Sequence, residues 1–336
     1  MTELAERPEI SGERYRETAK RVFRHENFVL LIVLLALIGV FSAVTHGATT
    51  LRENMANVLL QSCIRGTAAV GEAFVILTAG IDISVAGIGV MASILGGVLM
   101  TVGPLSLLGY PMSPLFAIPI MLVVATAWGL LNGAIITRTG IPALIATFCI
   151  WHIAEGVAYY PTGGQTVTDL PESFLDVAGR YIGGVPTGGI VFIVTAVVAY
   201  IVLNYTRFGR AVYAAGGNPV SAFLSGVNVR RTQLLVYTIS GFTAGLAGVL
   251  ITSRGMAGSI EGLRGLEFDA IASVIIGGVS LFGGRGNIIG VVLGALIIGV
   301  INNALSVMHV GHAAFYIVKG AIIVIAVIID VLRRRR

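Results

Sequence analysis

Charge is scarce in this sequence: Asp, Glu, Lys and Arg supply 12% of its 336 residues, against about 25% in an ordinary soluble domain. Apolar residues reach 56%, and the mean hydropathy is +0.91. A soluble core of this size cannot hide that much apolar surface, because over half the surface of a folded chain stays accessible. Lipid as solvent removes the conflict. Cysteine is also scarce. The two present, Cys63 and Cys149, lie in apolar runs and read as packing residues, which excludes a disulfide-stapled module and a thiolate metal site. No G-x-x-x-x-G-K-[ST], H-E-x-x-H, C-x-x-C or G-x-S-x-G occurs, so the chain carries no P-loop for nucleotide and no recognisable hydrolytic set. Ser280 with His309 or His312 makes no ordered catalytic group. Catalytic residues, a metal site and a bound cofactor are accordingly not expected.

What remains is a series of apolar runs near the ~20 residues that cross a bilayer. They fall at 28–44, 57–79, 84–103, 114–137, 141–160, 189–204, 232–252, 269–282, 287–307 and 314–332. The expected fold is an all-α polytopic membrane protein with about ten transmembrane helices, spans 6 and 8 being short enough for breaks. A balanced, charged lead at 1–27 precedes the transmembrane region 28–332, and a basic tail follows at 333–336. With a cytosolic N-terminus, 16 of the Lys and Arg residues fall inside and 4 outside. The positive-inside rule therefore places both termini in the cytosol. The net charge of +5 and the terminal arginines are then anchors at an anionic lipid surface, with no nucleic acid required.

Two loops are longer than connectors need to be. The outer one, 161–188, has turn chemistry at Gly163-Gly164 and Gly183-Gly184. The inner one, 204–232, contains Gly216-Gly217-Asn218-Pro219, a turn in which Asn218 caps and Pro219 opens a short helix. Gly226 stops that helix, which offers Ala222, Phe223 and Leu224 to a partner or, in a blander reading, to lipid headgroups. A weak echo links Gly80-Ile-Asp-Ile-Ser-Val-Ala-Gly87 to Gly278-Val-Ser-Leu-Phe-Gly-Gly-Arg-Gly286. Each is a small-residue break beside a glycine-rich span, and chance similarity accounts for the match.

Polar residues inside the spans are the candidates for a solute path. Glu72 is costly in lipid and normally faces a bundle interior or wet cavity; it either meets solute hydroxyls or pairs with Arg65, seven residues earlier on much the same face. Asp82 lies in the first break. Trp151 and Glu155 follow i, i+4 spacing, while Tyr159 and Tyr160 suit the interfacial belt. Asn302 and Asn303 either bond between helices or line the path. Lys319 needs a partner or water.

Taken together, Thr78-Ala-Gly-Ile-Asp-Ile-Ser84, Arg207-Phe-Gly-Arg210, Ala214-Ala-Gly-Gly-Asn-Pro219, Ser225-Gly-Val-Asn228, Ile275-Ile-Gly-Gly-Val-Ser-Leu-Phe-Gly-Gly284 and Lys319-Gly-Ala-Ile-Ile323 resemble the ribose/xylose/galactose-type ABC transporter permeases. The resemblance runs from about span 1 to the C-terminus. It implies the permease subunit of a sugar importer in the bacterial cytoplasmic membrane. The implied partners are a second permease copy, a cytosolic ATPase that uses ATP and Mg, and a periplasmic or lipid-anchored solute-binding protein. It also implies that Gly216, Gly217, Asn218, Pro219, Ala222, Phe223, Gly226 and Val227 form the element received by the ATPase. Glu72 departs from the family, where that position is usually apolar. An ion-coupled carrier using Glu72 is the alternative function.

Overall fold

The computed structural model describes residues 26–334, so the charged lead lies almost wholly outside the described residues, as do Arg335 and Arg336. Each of the ten apolar runs contains a helix. In chain order these are α1 (Glu26–Val44), α2 (Arg52–Leu77), α3 (Val85–Met100), α4 (Pro114–Thr139), α5 (Ala143–Thr162), α6 (Thr187–Tyr205), α9 (Val229–Gly255), α10 (Leu266–Ile276), α11 (Ile288–Val307) and α12 (His312–Arg334). Between α6 and α9 lie two further helices, α7 (Arg207–Gly217) and α8 (Pro219–Leu224). Among the described residues, 7 helices are long and apolar enough to cross a membrane: α1, α2, α4, α5, α6, α9 and α11. This is a multi-pass membrane protein.

Two helices are shorter than a full crossing. At about 1.5 Å per residue, the 16 residues of α3 and the 11 of α10 rise about 24 and 17 Å, against a hydrocarbon core of about 30 Å. The span expected at 269–282 is therefore half a helix: Gly277 ends it, and residues up to Asn287 run irregularly into α11. Gly278, Gly283, Gly284 and Gly286 all take positive φ in that stretch, which a continuous helix cannot accommodate. The break at 78–84 between α2 and α3 has Ala79 at φ 61°. Backbone polar groups freed at such breaks must find partners inside the protein. The two breaks partly satisfy each other, since the Gly284 N–H donates to the Leu77 carbonyl at 2.9 Å.

The centre of the bundle is built from α2 and α9, with α3, α4 and α11 around them. In α2, 83% of the apolar window is buried; in α1 the figure is 6%, so α1 presents its apolar surface outward. Phe74, Ile76, Leu77, Tyr237 and Leu250 form the most enclosed part of the core. Helix α9 approaches α4 closely at Gly241 and Gly129: a Cβ on Gly241 would stand 2.7 Å from the Gly129 Cα. Close backbone approach gains dispersion contacts where lipid offers no hydrophobic force between helices.

The 161–188 loop is ordered by a short turn at Glu172–Val177 and a hairpin, β1 (Tyr181–Ile182) with β2 (Val185–Pro186). Its connector, Gly183 and Gly184, has φ of 59° and 86°, the two positive values that a type I′ hairpin demands. Phe174 is fully buried beneath the loop, and Val167 bridges to Gly258. Loop 161–188 thus covers the end of the bundle opposite α7 and α8.

Candidate functional site

At the arginine-rich end, Thr206 caps α7 and Asn218 caps α8, the Asn218 Oδ1 accepting from the Ser221 N–H at 2.9 Å. Pro219 occupies the first turn of α8, and Gly226 at φ 85° stops the chain from continuing as a helix. The Val227 N–H then closes on the Ala222 carbonyl at 3.0 Å. The sequence suggested that Ala222, Phe223 and Leu224 face outward. Ala222 is instead 5% exposed, turned in against the protein, and Val220 takes its place on the outer face. Val220, Phe223 and Leu224 are 67%, 70% and 79% exposed. Val220 and Phe223 border a groove with Val227, Val229 and Arg230.

Behind α8, α7 rests directly on both breaks. A Cβ on Gly216 would strike the Leu77 carbonyl, and it would also lie 2.7 Å from the Gly284 nitrogen. A Cβ on Gly283 would lie 2.8 Å from the Ala79 nitrogen, and the Tyr213 hydroxyl donates to the Gly286 carbonyl at 2.9 Å. Partial burial pushes the Tyr213 phenol above its ordinary pKa, so it stays a donor across the physiological range. Gly217, the next residue, faces open space.

The first break leads inward to a buried polar cluster. The Asp82 Oδ2 accepts from Ser240 of α9 at 2.7 Å, and its Oδ1 accepts from the Ser84 N–H at 2.9 Å. Asn132 of α4 donates to Ser84 at 3.0 Å and to Asp82 at 3.3 Å. The Glu72 Oε1 accepts from the Asp82 N–H at 3.0 Å, while its Oε2 and the Asn132 Oδ1 have no hydrogen-bond partner among the described residues. Both carboxyl groups are wholly buried. Asp82 thereby ties the loop 78–84 to α4 and α9, and Glu72 ties it to α2.

Glu72 does not pair with Arg65. The Arg65 Nε donates to Asp269 of α10 at 2.6 Å. Seven residues raise the helix by about 10 Å, so two side chains on one face still reach different neighbours. Asp269 also binds Lys319 of α12 at 2.9 Å and accepts from Asn302 of α11 at 3.3 Å. Asn303 exchanges two hydrogen bonds with Asn54 of α2, both of 2.8 Å. Asn302 and Asn303 thus bond between helices. Trp151 stacks on His152 at 4.8 Å and lies against α3, where a Cβ on Gly87 would come within 2.5 Å of its ring. Glu155 is half-buried one turn further on, and Tyr160 is 93% exposed.

Asp269, Ser240 and Asn132 were missed as site residues. The available signal was their polarity within otherwise apolar runs, which in lipid marks an interior partner.

These features define a membrane permease: a broken-helix bundle with a capped external helix seated on its breaks. The chain belongs to the family described as the branched-chain amino acid transport system / permease component, whose pattern matches residues 54–327. It is 35% identical over 325 residues to the ribose import permease protein of Escherichia coli strain K12, covering 96% of this chain and 97% of that one. The D-allose transport system permease of the same strain is 35% identical over 310 residues, 91% of each. A probable ABC transporter permease, also from that strain, is 33% identical over 322 residues, 94% of this chain and 92% of the relative. No solved structure matches the chain.

Proposed function

We propose that the chain is the membrane subunit of an ATP-driven importer for a monosaccharide or similar small polar solute. It performs no bond chemistry. ATP and Mg are used by a cytosolic ATPase partner, a second permease copy completes the path, and a periplasmic or lipid-anchored binding protein delivers solute. In this reading α7 and α8 face the cytosol, as do both termini, and the chain sits in the bacterial inner membrane. An ion-coupled carrier acting alone finds no support among the relatives.

The observation that carries this reading is α8 itself. Its 6 residues are fewer than the ~12–15 that an isolated helix needs to persist in water, so tertiary contacts hold it. It nevertheless exposes Val220, Phe223 and Leu224 outside the spanning helices. An apolar trio with one large aromatic suits a pocket on a protein partner. The partner's movement reaches the membrane through Gly216, which bears on Leu77 at the edge of the first break and on Gly284 within the second. Beyond Leu77, the 78–84 loop leads to Asp82 and Glu72. Binding thus biases the arrangement of α3, α4 and α9 around one buried carboxylate.

The test is co-purification. Phe223→Asp places a charge in the partner's pocket and is expected to lose the ATPase while the permease stays folded in the membrane. An Asp variant that still retains the ATPase and supports solute-stimulated hydrolysis would overturn the assignment of α8. A helix that merely rests on lipid gives that second result.

A further inference from the structure

At the end opposite α8, α2, α9 and α10 enclose a chamber of about 220 Å³. Its polar lining is Arg65, Arg254, Arg264 and Asp269, and Ile251 and Leu266 supply apolar wall. The charges are unevenly satisfied. Arg65 is bound to Asp269, and Arg264, at the exposed rim, meets Glu261 at 3.0 Å. Half-buried Arg254 makes no hydrogen bond or ion pair among the described residues. Lys319 adds a further cation on the other side of Asp269.

We propose that this chamber binds an acidic monosaccharide, a sugar bearing a carboxylate, with Arg254 as its carboxylate receptor. The proposal rests on the importer reading and narrows its substrate class. A guanidinium presents a planar fork of donors that matches a carboxylate bidentately. An unpaired one, partly withdrawn from water, is the most favourable place in the chamber for an anionic group. A bare inorganic anion is the poorer occupant, because the Asp269 carboxylate stands in the same wall. That carboxylate and its bound Arg65 offer an acceptor and donors to sugar hydroxyls, while Ile251 and Leu266 cover the C–H faces of a ring. At about 220 Å³ the chamber has room for several waters, and so for a ligand as small as one sugar ring. The chamber lies on the face where, in the proposed orientation, a binding protein releases its solute.

The experiment is equilibrium binding of labelled D-galacturonate to the purified full-length chain, with D-galactose and sodium sulfate as competitors. Saturable galacturonate binding is expected, displaced by either competitor only at concentrations about tenfold or more higher. Arg254→Gln should weaken it at least about tenfold, the loss of one charge-assisted interaction. Arg254→Lys, which keeps the charge and loses the fork, should fall between. If Arg254→Gln does not fold, the Lys variant carries the comparison. Absence of saturable binding would overturn the proposal, as would equal competition by galactose or by sulfate, or an Arg254→Lys variant indistinguishable from the parent. So would an Arg254→Gln variant that binds galacturonate normally and loses only the binding protein, which makes Arg254 a docking contact. ATPase co-purification is scored on the same preparations. If the ATPase is retained but galacturonate is not bound, the chamber assignment falls and the importer reading stands. Loss of the ATPase from the unmutated chain strikes the importer reading itself.

Discussion

Two buried carboxylates, Asp82 and Asp269, hold this molecule together in different ways. Asp269 gathers Arg65, Lys319 and Asn302 from three helices. Removing its charge leaves two cations facing one another, and breaking a buried pair on one side typically costs about 3–5 kcal/mol. Asp269→Asn should therefore lower the melting temperature of the detergent-solubilised protein sharply, and adding Lys319→Met should recover part of the loss. A single variant as stable as the parent would show that the cluster carries no weight. Asp82 instead collects neutral donors around a loop, with Glu72 holding that loop's backbone. Glu72 should then couple to Ser240, which shares Asp82 with it, and not to Arg65. In double-mutant cycles on stability, Glu72→Gln with Arg65→Gln should be additive within about 0.5 kcal/mol, while Glu72→Gln with Ser240→Ala should not. These partnerships were not legible in the sequence. Arg65 and Asp269 are 204 positions apart, and Asp82 and Ser240 are 158 apart, so only the folded bundle brings them together.

At the scale of elements, apolar runs announced each spanning helix, because length and hydropathy alone are enough to require a helix in lipid. Half-helices are different. A run of residues 269–282 looks like a short span, since Gly277 and Gly278 are as apolar as their neighbours. Its shortness and its glycines suggested a break, but short length suggested one equally in the 189–204 run, which is a continuous helix; the backbone angles that decide are not displayed by composition. The cap at Asn218 and the stop at Gly226 were legible, because turn chemistry is local. Which face of α8 turns inward was not, since six residues carry too little pattern to separate Ala222 from Val220. The contact of α7 with the two breaks yields a matched test. Gly216→Ala places a methyl group against Leu77 and Gly284, whereas Gly217→Ala meets nothing within 4 Å. The first should uncouple ATP hydrolysis from uptake while the ATPase still binds. The second should behave as the parent. Equal behaviour of the two variants would remove the seam from the coupling route.

Across the whole molecule, α8 and the 161–188 loop should lie on opposite faces of the membrane. In a cysteine-free background, a cysteine at Ser225 should react with an impermeant thiol reagent only in inverted vesicles, and one at Gly163 only in intact cells. The reversed pattern would contradict the orientation derived from the 16-to-4 distribution of basic residues. The account's central claim, that solute movement is driven by a partner's ATP hydrolysis, is tested most directly by uptake into proteoliposomes. The permease is reconstituted with its ATPase and binding protein, and a labelled monosaccharide is followed with and without ATP on the ATPase side. Uptake should require ATP, should be abolished by Phe223→Asp, and should be unaffected by collapsing ion gradients. Uptake by the chain alone, driven by a proton or sodium gradient and lost in Glu72→Gln, would contradict it.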